Sequence, residues 1–434
     1  MRDFTGDQHP TTADASPSAH LRAVQRRTLI VLSAAQIVGG VGVAVGLALS
    51  SVVVDQLSGS TMISGFAGTA TVLGAALLAL PTAKASSKGG RRSGLALAYL
   101  AALLGCAISV VAINLGNWQL LLAGLVLVGG GSAGNLAARY SATDLSPRNH
   151  AARHLSLVVW AATVGSVAGP NLAEPADRIG MEAGLVGKAG PFAFAALAFA
   201  LALLIVFAGL RPDPLKLARE HDGRKPSTEA GNRTVRTAWR ILRTTPMARQ
   251  ALVMIAVSHT AMVSIMSMTP VKLHHDGAEL DVIGIVISLH IAGMYVMSPV
   301  VGWLADKAGR VPVLLLGMGL LLVSAVLAAT AGHQVWQVTV ALFVLGLGWS
   351  CGLVAGSALV SESVSIDGRT AVQGLSDLLM NVCGATGTVL AGVIVGGLSY
   401  GVLGSGVGVM VALAGVWLAL AARRSGAIWR PRSS

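Results

Sequence analysis

The chain has 434 residues, 54% of them hydrophobic and 12% charged, where a soluble domain carries about a quarter charged residues. This excludes an ordinary water-soluble domain, and the 53 glycines suit helices that pack closely in lipid. The formal charge of +12 lies in short clusters between apolar runs, so it reads as a topology signal and not as a nucleic-acid face.

Residues 1–27 are rich in Thr, Ser, Asp, Pro and His and end on Arg22, Arg26 and Arg27. They predict a disordered cytoplasmic tail, and not a signal peptide, because the next apolar run is too long for one. Apolar runs then follow at 28–54, 61–83, 93–114, 118–140, 155–174 and 189–210. Each is near the roughly 20 residues that cross a bilayer. Gln36, Asn135, Arg139, Asp144, Asn171 and Glu174 are polar within or near these runs. In lipid such groups face a cavity or one another, and Arg139 and Asp144, close in sequence, are equally readable as a structural pair.

Residues 211–248 form a basic cytoplasmic linker, after which runs recur at 249–270, 281–304, 311–331, 335–359, 370–396 and 401–421, with a tail at 422–434. The predicted fold is therefore an all-α membrane protein, twelve transmembrane helices in two six-helix bundles, 28–210 and 249–421. Only Arg178, Lys188 and Lys272 fall in the outward connections, leaving 28 of 31 basic residues inside. That bias predicts a multi-pass protein of the cell membrane with both termini cytoplasmic. Cys106, Cys351 and Cys383 sit in apolar runs and imply no disulfide framework.

The second half opens on sulfur and imidazole. Met247, Met254, Met262, Met266, Met268, Met294 and Met297 supply 7 of the 13 methionines. His259, Met262 and Met266 lie at i, i+3 and i+7, and His290, Met294 and Met297 at i, i+4 and i+7 on the next helix, so each set shares a face. Converging thioethers and imidazoles would make a soft-metal site suited to Cu(I). The competing reading is that the methionines are packing and the histidines structural. His274, His275 and Asp276 in the outward loop allow metal capture or plain loop chemistry. Asp377 and Asn381 are polar groups of the eleventh run.

Gly302-Trp-Leu-Ala-Asp306-Lys-Ala-Gly309-Arg310 follows the eighth run. Gly302 permits close helix contact, Asp306 is placed to cap or pair at a helix end, and Arg310 offers the opposing charge, so the group reads as a conformational latch. This segment, with the six-plus-six layout and basic linker, resembles the major facilitator superfamily over essentially the whole chain after residue 27. The equivalent loop between the second and third runs keeps Gly90-Arg91-Arg92 but has Ser87 where the acid belongs, which predicts a weaker latch there. The fourth run lacks the Arg that proton-coupled drug antiporters carry before Gly129-Gly130-Gly131, and the fifth keeps only Gly165-x-x-x-Gly169-Pro170 of the antiporter pattern.

Met262-x-x-x-Met266 followed by His290-x-x-x-Met294 further resembles the copper importers of that superfamily. The resemblance implies alternating access at a midplane site, with copper as substrate and import favoured. Proton-coupled efflux of a small organic solute or drug is the alternative, and a non-transporting membrane sensor a third. No catalytic constellation or phosphate-cradling Walker loop is present in the sequence. The expectation is thus a non-enzyme without cofactor, partnered by the bilayer and a small solute or metal ion, with no nucleic acid and no oligomeric state implied.

Overall fold

The computed structural model describes residues 19–64, 66–221 and 234–424. Twelve helices among these are long and apolar enough to cross a membrane. We number them α1 (Ala19–Ala48), α2 (Phe66–Gly89), α3 (Arg91–Asn114), α4 (Trp118–Ser141), α5 (Ala151–Glu182) and α6 (Gly190–Gly209). The second half comprises α7 (Pro246–His275), α8 (Leu280–Tyr295, resuming as Ser298–Ala308), α9 (Arg310–Thr330), α10 (Val335–Ser363), α11 (Ile366–Gly397) and α12 (Tyr400–Arg424). Backbone polar groups in lipid have no water to bond, so each apolar run closes its hydrogen bonds within a helix.

Two expectations need correction. Residues 19–27, read as tail, are the opening turns of α1. Gln25 is buried there and its amide donates to the Ala142 carbonyl at 2.7 Å, which anchors a segment whose composition alone reads as polar chain. The linker, read as 211–248, ends earlier, since α7 opens at Pro246, and within it Pro214–His221 and Thr234–Thr244 are helical. The disordered tail expected at residues 1–18, the middle of the linker at 222–233 and the tail at 425–434 lie outside the described residues.

α8 breaks before Ser298-Pro299, because proline supplies no backbone donor and its ring crowds the preceding turn. The second half shares one continuous apolar core. In the first half, one apolar cluster centres on Leu32, Tyr99 and Phe199 and another on Val54, Leu121 and Phe192. The halves meet where α2 packs on α11 and α5 packs on α8 and α10. The ends of α2, α4, α8 and α10 and the starts of α1, α3, α5, α9 and α11 share one face of the molecule, called here the terminal face.

Candidate functional site

A cavity of about 290 Å³ lies between the halves. The first half contributes Gln36 from α1 and Asn135 and Arg139 from α4; the second contributes His259 and Met262 from α7 and Tyr295 from α8. Ser132, Met294, Trp349, Met380 and Asn381 complete the polar, sulfur and aromatic part of the wall. The Trp349 indole donates to His259 Nδ1 at 3.1 Å, and Tyr295 meets Trp349 edge to face with centroids 5.7 Å apart. These three rings form one aromatic wall.

Facing them is a polar wall with open valences. Arg139 is 1% exposed. Its Nη2 donates to Asp377 Oδ1 at 2.7 Å, while Nε and Nη1 are buried without a partner. Gln36 is likewise buried with Oε1 unpartnered. Buried polar groups are nearly always satisfied, so the unpaired atoms of these two cavity-lining side chains stand out from the rest of the wall. Asn135 is occupied through Oδ1 by the Tyr99 hydroxyl at 3.1 Å.

Below the cavity, toward the terminal face, polar bonds clamp the halves together. Arg139 on α4 holds Asp377 on α11, and the Tyr140 hydroxyl donates to Ser376 Oγ at 3.1 Å. Arg91 forms a fork on Asp144, at 2.6 and 3.0 Å, and reaches Gln373 Oε1 of the other half at 2.7 Å. Asp306 on α8 accepts from the backbone N–H groups of Ala152 and Arg153, 3.1 and 2.9 Å away, at the start of α5. A carboxylate at a helix N-terminus meets both unpaired donors and the positive end of the dipole. Arg310 holds that carboxylate at 2.7 Å and ties it to Glu362 at 2.6 Å.

Glycines set the spacing of this clamp. A Cβ on Gly302 would collide with Ser156, and one on Gly374 with Ala83, so both helix contacts between the halves need a residue without a side chain.

Twelve apolar helices in two halves around a central cavity, latched at one face, agree with the sequence comparison. The Major Facilitator Superfamily profile matches residues 28–278 and 273–434. The chain belongs to the Major Facilitator Superfamily. It is 36% identical over 386 residues to the uncharacterized MFS-type transporter YdeG of Bacillus subtilis (strain 168), covering 87% of this chain and 88% of that one. The riboflavin transporter RfnT of Brucella anthropi is 27% identical over 363 residues, covering 82% of this chain and 85% of its own. In structure, the human organic anion transporter MFSD10 superposes with a TM-score of 0.73 at 17% identity, over 91% of this chain and 99% of that chain. The chain is thus a membrane transporter of the major facilitator type.

Within this fold the proposed metal residues separate. His259, Met262 and Met294 line the cavity. His290 does not: it is fully buried, with Nδ1 bonded to the Leu342 carbonyl of α10 at 2.7 Å. Met266 packs against the apolar core of the second half, and Met297 is 37% exposed at the α8 break. Among the described residues no group of three or more His, Cys, Asp or Glu side chains is arranged to hold a metal.

The polar residues separate as well. Gln36, Asn135, Arg139 and Asn381 reach the cavity. Asp144 and Asp377 belong to the clamp beneath it, and Arg139 and Asp144 are not partners of each other, since their carboxylate and guanidinium partners are Asp377 and Arg91. Asn171 is exposed and bonded to the Val167 carbonyl of its own helix, away from the cavity. In the loop where Ser87 replaces the acid, Asp213 from beyond α6 takes the Arg92 backbone N–H at 2.8 Å. That bond joins two elements of the same half, so it does not latch the halves.

Sequence reasoning missed Gln373, Trp349 and Tyr295, and it named Arg91 only as part of the loop between the second and third runs, without its partners Asp144 and Gln373. Trp349 had a readable signal, because it sits deep in a span and tryptophans favour the membrane interfaces. The partners of Arg91 had none, since Asp144 is 53 and Gln373 282 residues away in sequence.

Proposed function

We propose that this major facilitator protein is a secondary active transporter working by alternating access, and that it carries a small planar, ring-bearing organic solute with adjacent hydrogen-bond acceptors and a donor. The observation that carries this reading is the pairing of an aromatic wall, Trp349 with His259 and Tyr295, with the unpaired Arg139 donors and the unpaired Gln36 oxygen across the same cavity. Stacking against this wall fixes the plane of the solute, and Arg139 and Gln36 fix its polar edge. The name of the relative RfnT supports the class, since riboflavin is planar and carries such an edge. The basic terminal face belongs in the cytoplasm of a cell-membrane protein. The clamp there describes a conformation closed to the cytoplasm, and an ion or substrate gradient drives the cycle.

Cu(I) is the second reading, favoured by His259, Met262 and Met294 on the same cavity wall. One experiment separates them. Purified protein is titrated with riboflavin, followed by quenching of flavin fluorescence, and in parallel with Cu(I) under reducing conditions. The organic reading expects riboflavin binding that Trp349→Leu weakens about tenfold, that Gln36→Leu also weakens, and that Met262→Leu with Met294→Leu leaves unchanged. Copper binding lost in the methionine variant, with no response to riboflavin, would replace the first reading by the second.

A further inference from the structure

A second and larger cavity, of about 540 Å³, opens where the start of α3 meets the end of α6 at the terminal face, away from the transport cavity. Arg92, Arg211 and Lys216 line it. The Arg92 guanidinium lies 3.8 Å from the centroid of the Phe207 ring and that of Arg211 lies 5.6 Å from it, so one ring gathers both cations. Arg92 Nε is buried without a partner. The single acid of the wall, Asp213, is already engaged by the backbone N–H groups of Arg92, Leu215 and Lys216 at 2.8, 3.0 and 3.3 Å. The cavity therefore presents three cations against one occupied carboxylate.

Its surroundings specify the kind of anion. α3 and α6 run antiparallel and pack along each other. From the cavity toward the middle of the membrane they expose Leu97, Leu100 and Leu104 on α3 and Leu204, Leu201 and Leu197 on α6. The α3 positions recur at three and four residues and so form one stripe, as do the α6 positions. A soluble anion would use the cations and leave the stripes unoccupied. A phospholipid uses both, with phosphate oxygens on the forked Arg donors and acyl chains along the leucines.

We infer that Arg92, Arg211 and Lys216 form a binding site for the headgroup of an anionic phospholipid, whose acyl chains lie along the leucine stripes of α3 and α6. The site is independent of the transported solute, because no residue of the transport cavity takes part in it.

The test is native mass spectrometry of the full-length protein in detergent, titrated with phosphatidylglycerol or with phosphatidylcholine of the same acyl chains. Phosphatidylglycerol is expected to be held at least tenfold more tightly. Each cation near an anionic lipid contributes about a fivefold factor in affinity, so Arg211→Gln with Lys216→Gln should weaken phosphatidylglycerol roughly 25-fold. Arg240→Gln, an exposed cation of the linker helix Thr234–Thr244, should change nothing. Should the double variant aggregate, Arg211→Gln and Lys216→Gln made singly carry the test at about fivefold each. Equal retention of the two lipids, or phosphatidylglycerol binding unchanged in the variants, would overturn the site. Displacement of the lipid by equimolar glycerol phosphate would overturn the lipid assignment in favour of a soluble phosphate.

Discussion

Asp377→Asn should open the clamp beneath the cavity. In the clamped structure Asp377 is the one carboxylate bonded to Arg139, at 2.7 Å, and the remaining guanidinium contact is a 3.4 Å bond to the Tyr140 hydroxyl. Removing one partner of a buried pair outright costs about 3–5 kcal/mol. Asparagine keeps an oxygen in place and loses only the charge-assisted share, about 1–2 kcal/mol. That cost falls on the conformation in which α4 and α11 face each other, so the population should move away from it by roughly 5- to 30-fold. The assay is a distance measurement between spin labels at Lys88→Cys and Lys307→Cys, exposed positions of opposite halves on the terminal face, after Cys106, Cys351 and Cys383 are replaced. The expected result is a longer-distance population that grows in Asp377→Asn. An unchanged distance distribution in a folded, fully labelled variant would refute the reasoning, because Arg139 would then find equal stabilisation without the carboxylate.

Asp306→Asn removes the charge from a cap that takes two backbone N–H groups of α5 and pairs with Arg310. The loss, about 1 kcal/mol, should slow transport severalfold while ligand affinity measured on the purified protein stays the same; parallel loss of both would point to misfolding. On the face opposite the clamp, burial raises the Asp276 carboxyl, but hydrogen bonds from Lys272 and His333 outweigh burial and hold it below the usual carboxylate range. A depressed folded value means that the stabilisation is complete above the unfolded value of about pH 4 and is lost as pH falls through the folded value. Thermal unfolding of Asp276→Asn should therefore run a few degrees at most below the parent at neutral pH, with the gap persisting to mild acid and closing only beneath the carboxylate range.

The sequence by itself determined the twelve spans and their division into halves. Lipid offers no hydrogen bonds, so each span must satisfy its backbone alone and must be apolar along its own length, and both demands are local. The Asp306–Arg310 pair was legible for a similar reason: the two residues stand four apart in sequence, on either side of the Gly309 turn, so their pairing is a matter of short-range spacing. The cavity was not legible in this way. Arg139 and Asp377 are 238 residues apart, and Arg91 and Gln373 are 282 apart, so their partnership exists only once the two halves dock. The methionine and histidine spacing was real on each helix but did not say which neighbour each face meets. Rotation of α8 against α10 turned His290 to the Leu342 carbonyl, while Met294, one turn later, reached the cavity. Periodicity fixes which residues share a helix face, and only the packing of one helix on another decides whether that face lines a cavity, a core or the lipid.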